Sequence, residues 1–308
     1  MSGVRTVRPR VKRRLVPPWI DRQGRFSWLK AVVLAGACIP GAFIAFWLAS
    51  GQMGPRPVNA ALHLSGIWTV RFVLLALAVT PARAVFDRSR VVLVRRMLGV
   101  TAMVYALGHF SLFIVDQNFM LLTVVLEIVR RIYLTIGFTA LLGLVALGAT
   151  STDAAVRRMG SGWKRLHRLI YPIAVLMLTH HFMQAKVNVS TAVFAAGLAV
   201  WLMLWRVLPA RLRVRPAVLA GLAVVAGVLA AGIEFAWYGL ATHINAWRVL
   251  MANLDIGNGL RPALWVGLAG LAVALLAVPL RPGALRAGWQ GISTVFRRIS
   301  PTRVGGRS

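Results

Sequence analysis

Cysteine and acidic residues are scarce in this chain. It has one cysteine, Cys38, which excludes an internal disulfide and a metal site built from cysteines. Only seven of its 308 residues are Asp or Glu, and Glu234 alone falls inside a long apolar run. A proton pump or an aspartyl protease of the membrane needs more intramembrane carboxylates than this. Any metal chemistry in this chain must therefore use histidine.

The motifs of nucleotide-binding and hydrolytic enzymes are also missing. The sequence contains no G-x-G-x-x-G, no Walker loop, no H-E-x-x-H and no G-x-S-x-G. The polar segments between the apolar runs are too short to form a domain. A reductant for any redox reaction must come from a separate molecule or from the membrane.

What the chain has in abundance is apolar residues, at 58% of the total with a mean hydropathy of +0.73. This composition is far more apolar than that of a soluble domain. Windows of about 20 residues predict eight membrane spans. They lie near 31–50, 62–81, 97–115, 132–150, 168–184, 190–208, 217–238 and 262–280. The fold class predicted is an all-α, polytopic transmembrane helical bundle of about eight helices.

The net charge of +29 invites comparison with nucleic-acid-binding proteins, but the positions of the basic residues follow the membrane topology. With a cytoplasmic N-terminus, 29 of the 36 Lys and Arg residues fall in cytoplasmic segments. We therefore predict that both termini are cytoplasmic, that the protein lies in the bacterial inner membrane, and that the basic tails contact anionic lipid and no nucleic acid. The first apolar run is long and lacks a small-x-small cleavage site, so we expect a first helix and not a cleaved signal.

The distribution of these spans suggests four parts. Residues 1–30 form a basic N-terminal segment, and 31–208 form a six-helix core with every histidine-bearing span. Residues 209–280 are expected to be an appended two-helix extension, and 281–308 a basic tail. The extension carries one ionisable group inside a span, Glu234, to which we assign no chemistry.

Two histidines within the predicted spans are expected to lie at the same depth. His109 follows the cytoplasmic end of the third span by about 12 residues, and His180 lies 12 residues after the fifth span begins. At about 1.5 Å per residue both side chains reach the outer third of the membrane. Two neutral imidazoles that face each other can supply both axial ligands of a six-coordinate heme iron. The pair therefore predicts a heme site between these helices.

His167 adds a second level at the cytoplasmic entrance of the fifth span. It precedes His180 by 13 residues, about 20 Å along a helix, which is enough for two stacked hemes. Around the helix axis His181 is closer in phase to His167, so periodicity alone slightly favours His181 over His180. Arg95, 14 residues before His109, lies at the depth of His167. The inner site thus has one imidazole with an arginine facing it.

Other ionisable residues have simpler interpretations beside a functional one. A single intramembrane histidine is most often a hydrogen-bonded packing residue, and His63 and His243 are interfacial by spacing alone. Arg71, in mid-span, must snorkel or find a partner, for which a heme propionate, a flavin phosphate or a group of backbone carbonyls would serve. Gly99 and Gly108 on the third span would admit a flat macrocycle or close helix packing. We predict that Arg95, His63 and Arg71 contribute to cofactor binding.

Several short segments, taken together, resemble a known family, the MsrQ (YedZ) heme-binding membrane subunits of the bacterial periplasmic methionine-sulfoxide reductase system, within the ferric-reductase-like transmembrane group. The resemblance covers roughly residues 30–205. It rests on His63-x-x-Gly66, Val79-Thr80-Pro81, Arg95-Arg96-x-Leu98-Gly99, Tyr105-Ala106-x-x-His109, Arg131-x-Tyr133-x-Thr135-x-Gly137, Thr150-Ser151, Gly162-Trp163-x-x-Leu166-His167-Arg168-x-x-Tyr171 and His180.

The resemblance implies one or two b-type hemes with His109, His167 and His180 as ligands, and it favours His180 over His181. It also implies that FMN can bind, that electrons come from the quinol pool or a cytoplasmic flavin reductase, and that they pass to a periplasmic molybdopterin-containing catalytic subunit. Ile132 stands where the family usually has proline, which we expect to alter only a helix start. The resemblance says nothing of the last two spans.

The sequence therefore predicts a membrane cytochrome that transfers electrons and does not itself reduce methionine sulfoxide. Three alternatives remain open. The first is a cytochrome b subunit of another dehydrogenase or of a metal-ion reductase. The second is a transporter whose path is lined by His63, His109 and Arg71, and the third is an assembly factor whose histidines are replaceable.

Overall fold

The computed structural model describes residues 17–20, 24–185, 188–255, 257 and 259–280. Helices account for most of this part of the chain, and no β-strand forms in it. They are α1 (Trp28–Ala49), α2 (Pro57–Phe86), α3 (Arg95–Asp116), α4 (Leu121–Arg130), α5 (Ile132–Ala149), α6 (Asp153–Met159), α7 (Ser161–His167), α8 (Ile170–Ala185), α9 (Ser190–Val207), α10 (Pro216–Ala241), α11 (Ala246–Met251) and α12 (Pro262–Ala277), with a 3-10 helix at Ser89–Val94. The basic tail predicted at 281–308 and most of the basic segment at 1–30 lie outside the described residues.

Each of the eight predicted spans contains a helix, which confirms the all-α, multi-pass architecture. Six helices of the described chain, α1, α2, α3, α5, α9 and α10, are long and apolar enough to cross a membrane. Helices α8 and α12 have 16 residues each. That is short of the roughly 20 residues that a perpendicular span requires.

Helix α2 lies at the centre of the bundle. It packs along α3 and also contacts α1, α8 and α9, while α5 packs against α3 and α8. Because it has neighbours on several sides, apolar side chains are buried around much of its circumference; Phe72, Val73 and Leu77 are each only 3% exposed. Helices α2, α3, α5 and α8 therefore enclose a common interior, and both α3 and α8 carry a histidine into it.

Helix α1 is fastened to α3 by a side chain inserted into its backbone hydrogen bonding. Pro40 removes one backbone N–H from the middle of α1. Beside Pro40, the hydroxyl of Tyr105 on α3 donates to the carbonyl of Ala37 at 2.8 Å and accepts from the N–H of Gly41 at 2.7 Å. In an uninterrupted helix those two backbone groups bond each other directly. Insertion of a side chain at this point is a recognised cause of helix bending.

Helices α10 and α12 form a closely packed pair against α9. A Cβ added to Gly270 would lie 2.5 Å from the Cβ of Ala223, so only glycine permits this approach of the two backbones. Glu234, the only acid predicted within a span, is 1% exposed and its Oε1 accepts a hydrogen bond from Nη2 of Arg261 at 2.7 Å. Burial of a carboxylate requires such a partner. Glu234 thus joins α10 to the start of α12.

Four short helices, α4, α6, α7 and α11, were not predicted. Two begin at a side-chain cap, where Thr152 accepts from the N–H of Ala155 and Asn245 from those of Trp247 and Arg248. A consequence for the site is that α7 ends at His167 and α8 begins only at Ile170. His167 and His180 are therefore not on one continuous helix.

Candidate functional site

Two histidine rings face each other in the interior between α3 and α8. The ring centres of His109 and His180 are 6.3 Å apart and the ring planes are inclined at 84°. A metal bound between two imidazoles, with metal–nitrogen bonds of about 2.0 Å, places the two nitrogens about 4 Å apart and the ring centres about 6 Å apart. The observed separation of the ring centres matches the separation expected for two ligands of one metal ion.

Both rings are oriented by backbone carbonyls. Nδ1 of His109 lies 2.9 Å from the carbonyl oxygen of Leu62 on α2, and Nδ1 of His180 lies 2.7 Å from that of Tyr133 on α5. A carbonyl only accepts, so Nδ1 must carry the proton in each ring. In the neutral rings Nε2 then has a free lone pair. Histidines that bind metals are held in this way by the bond from their other nitrogen.

Two glycines leave the space that these rings occupy. A Cβ added to Gly137 on α5 would lie 2.7 Å from Cε1 and Nδ1 of His180. One added to Gly66 on α2 would lie 3.0 Å from the same atoms of His109. Glycine in a helix interior is otherwise unfavourable, by about 1 kcal/mol relative to alanine. His109 on α3 thus packs directly on the backbone of α2, and His180 on α8 packs directly on the backbone of α5.

A cavity of about 210 Å³ adjoins the two rings. Its walls are largely apolar, with Phe110, Phe138 and Met177 among them, whereas its polar residues include His63, His181, Gln184 and Thr191. Enclosed apolar walls with a few placed polar groups are typical of a cofactor pocket. The cavity brings four histidines together, of which only His109 and His180 face each other.

The neighbouring histidines have other surroundings. Nε2 of His181 lies 3.2 Å from the hydroxyl of Thr191 on α9. His63 borders the cavity and is exposed. The structure therefore places His180, and not His181, opposite His109. This arrangement agrees with the family resemblance and disagrees with the slight preference from periodicity.

His167 lies apart from this cavity, at the end of α7. Its ring stacks on that of Trp163 at 3.9 Å between centres, and its Nε2 lies 3.2 Å from the hydroxyl of Thr150. That hydroxyl is committed as a donor to the carbonyl of Ala146 at 2.7 Å, so it accepts from His167. Burial lowers the pKa of His167, and the positive charge of Arg95 lowers it further. Both effects favour the neutral ring, whose free lone pair is then on Nδ1.

Arg71 and Arg95 are both exposed. The guanidinium of Arg71 lies over the ring of Trp68, 4.6 Å from its centre, in a cation–π contact. Arg71 does not line the cavity beside the histidines, although it is a predicted cofactor-binding residue. Arg95 begins α3, close enough to His167 for its charge to act on that ring. Of the candidate residues, His109 and His180 form a facing pair with His63 at the same cavity, Arg95 acts on His167, and Arg71 lies apart from both.

The residues that orient the rings were not predicted from the sequence. Leu62 and Tyr133 act through backbone carbonyls, which have no signature in a sequence. Gly66 and Gly137 are part of the motifs of the resemblance, but no role was predicted for them. Gly99 and Gly108, the glycines on α3 that were expected to admit a macrocycle or close packing, do not lie against the rings. Added Cβ atoms at Gly99 and Gly108 would meet nothing within 4 Å.

The fold and this pair define a class of protein, a multi-pass helical membrane protein with histidines paired between its helices. Residues 65–178, which span α2 to α8, match the family described as ferric reductase like transmembrane component. No solved structure matches the chain.

The chain also matches characterised relatives over a longer stretch. It is 35% identical over 192 residues to the protein-methionine-sulfoxide reductase heme-binding subunits MsrQ of Brucella ovis, Brucella canis and Brucella suis. The matched stretch is 61% of this chain and 86% of each relative. The chain belongs to the MsrQ family. The rest of this chain lies outside the stretch that matches these relatives.

Proposed function

We propose that this protein is a b-type cytochrome of the bacterial inner membrane, with both termini in the cytoplasm, that passes electrons to a periplasmic methionine-sulfoxide reductase. The relatives in Brucella carry the name of heme-binding subunits. The chain itself reduces no sulfoxide in this proposal. It holds the cofactor, and a separate molybdopterin-containing subunit performs the catalysis.

The observation that carries the proposal is the facing pair His109 and His180. Three features of the pair fit a heme iron: ring centres 6.3 Å apart, Nδ1 protons committed to backbone carbonyls, and glycines that make room for both rings. When bound, a heme would supply an iron centre that takes up and releases one electron at a time. The chain's part is to hold both imidazoles neutral and oriented and to keep the site within apolar walls.

A second heme at His167 belongs to the same proposal. The support is its neutral ring, its position at the end of α7 and the nearby charge of Arg95. Nε2 of His167 must leave Thr150 before it can bind a metal, or Nδ1 must serve in its place. Electrons would enter at this level from quinol or a cytoplasmic flavin reductase, with FMN as an intermediate carrier. Arg71 and His63 remain candidates for contacts with cofactor carboxylates or phosphate.

Electron transfer to the partner is tested by following reoxidation of the reduced heme. The purified protein is reduced with dithionite, freed of excess reductant and mixed with the periplasmic catalytic subunit. Reduction of a sulfoxide consumes two electrons and two protons and yields a thioether and water. We therefore expect the absorbance of the reduced heme to disappear when methionine sulfoxide is added, with one sulfoxide consumed per two hemes oxidised.

The matched control replaces methionine sulfoxide with methionine, which leaves the heme reduced. A heme that stays reduced with the sulfoxide present would contradict the proposal. Rapid reoxidation by a ferric chelate but not by the catalytic subunit with its substrate would favour the alternative of a metal-ion reductase.

A further inference from the structure

A second, larger hollow lies on the other side of α3, between α3 and α1. This groove has a volume of about 1540 Å³, and its floor and walls include Leu34, Ile44, Val100, Val104 and Leu112. It exists because α1 buries only Ala37, Pro40 and Ile44 and is held to α3 by Tyr105. The groove is separate from the cavity beside His109 and His180.

The mouth of the groove is basic. Lys30 in the first turn of α1, Arg96 in the first turn of α3 and Arg157 on α6 all line this end. Arg96 pairs with Asp153 at 2.6 Å, and Lys30 donates to the carbonyl of Ile20. Within the described residues, Arg157 makes no hydrogen bond or ion pair. The mouth therefore has an excess of positive charge and one cation free to bind an anion.

The interior offers mostly apolar surface, with the side chains of Tyr105, Thr101, Ser65 and Cys38 as its few polar groups. The hydroxyl of Tyr105 already has both a donor and an acceptor partner in the backbone of α1. A ligand ring with carbonyl or hydroxyl groups would find the hydroxyl of Tyr105 already hydrogen-bonded to α1. An acyl chain needs no such partner. From Arg96 to Gly108, both lining the groove, α3 rises about 18 Å, compared with about 15 Å for half of the hydrocarbon core of a bilayer.

We infer that the groove between α1 and α3 binds an anionic phospholipid, with its phosphate at Lys30, Arg96 and Arg157 and an acyl chain alongside Val104. Basic pockets between helices are a known form of anionic headgroup recognition. The charges at the mouth and the apolar length of the groove both match a lipid of the leaflet nearest the start of α1. This inference does not depend on heme binding.

The test compares phosphatidylglycerol with phosphatidylcholine of the same acyl chains. The full-length protein is purified in a mild detergent, each lipid is titrated, and bound lipid per protein is measured by mass spectrometry. We expect preferential retention of phosphatidylglycerol. Arg157→Gln should weaken that retention about fivefold, which corresponds to about 1 kcal/mol for one basic residue at an anionic headgroup. Arg158→Gln, one position along α6 and outside the groove, is the matched control and should change nothing.

A second pair of variants tests the acyl chain without changing charge. Val104→Trp fills the groove and should displace both lipids, whereas Leu107→Trp, also exposed on α3 but outside the groove, should displace neither. Equal retention of phosphatidylglycerol by Arg157→Gln and Arg158→Gln would overturn the inference. So would lipid binding that Val104→Trp leaves intact, or recovery of an isoprenoid quinone from the groove in place of phospholipid.

Discussion

Replacing His180 with alanine is expected to remove the heme held between His109 and His180, whereas replacing His181 is expected to leave it in place. The two residues are adjacent, but only His180 faces His109, at 6.3 Å between ring centres. His181 is directed to Thr191 on α9. Loss of a group that merely orients a metal-binding histidine weakens metal binding about 10- to 100-fold. Loss of the ligand itself should have at least that effect on the occupancy of this one heme, measured as the loss from total heme by pyridine hemochrome.

The same experiment includes its own structural control. Both variants should retain the helical circular dichroism and the elution volume of the parent. His109→Ala should behave as His180→Ala does, and external imidazole should restore heme to His180→Gly by filling the space of the lost ring. Heme loss in His181→Ala with full retention in His180→Ala would show that the facing pair has been assigned to the wrong residue.

Gly137→Ala is expected to impair heme binding nearly as strongly, although glycine has no side chain to act as a ligand. The new Cβ would lie 2.7 Å from Cε1 and Nδ1 of His180, so the ring must move away from the carbonyl of Tyr133. Because loss of a group that orients a metal-binding histidine weakens binding about 10- to 100-fold, we expect heme retention to weaken by a similar factor. Gly66→Ala, at 3.0 Å from His109, should have a smaller effect in the same direction.

Gly99→Ala is the matched control, because an added Cβ there meets nothing within 4 Å. All three substitutions favour the helix by about 1 kcal/mol when no clash opposes them. Heme content should therefore rank Gly99→Ala above Gly66→Ala above Gly137→Ala, as followed by the Soret absorbance per protein. Equal heme content in all three variants would mean that the rings are not confined by these backbones.

The sequence was sufficient for the helical architecture and for the facing pair. Long apolar runs are a strong signal, and each of the eight predicted windows contains a helix. The expected proximity of His109 and His180 followed from counting residues from the span starts, and the structure brings these two rings together. The glutamate in the extension, to which no chemistry was assigned, lies in a buried ion pair with Arg261.

The choice between His180 and His181 could not be made from periodicity for a physical reason. Counting 100° per residue from His167 assumes one unbroken helix, but α7 ends at His167 and α8 begins at Ile170. The interruption resets the phase, so the count has no meaning across it. The family resemblance does not depend on helical phase, and the residue it favours, His180, is the one whose ring faces His109.

The orientation of the rings was beyond the sequence for another reason. It depends on the carbonyls of Leu62 and Tyr133, which every residue possesses, and on which glycine lies opposite which ring. Ile132, which stands where the family usually has proline, is the first residue of α5. The difference from the family therefore falls at a helix start, where proline is well tolerated. Such local features become informative only once the neighbouring helix is known.

The central claim, that His109 and His180 hold a heme, is tested most directly by a reduced-minus-oxidised visible spectrum of the purified protein. Expression with adequate heme should give the sharp α and Soret bands of a six-coordinate b-type cytochrome in the parent and in His181→Ala. The share of the heme between His109 and His180 should be missing from His109→Ala and His180→Ala. A parent protein without a b-type signal, or a spectrum unchanged in both ligand variants, would contradict the account.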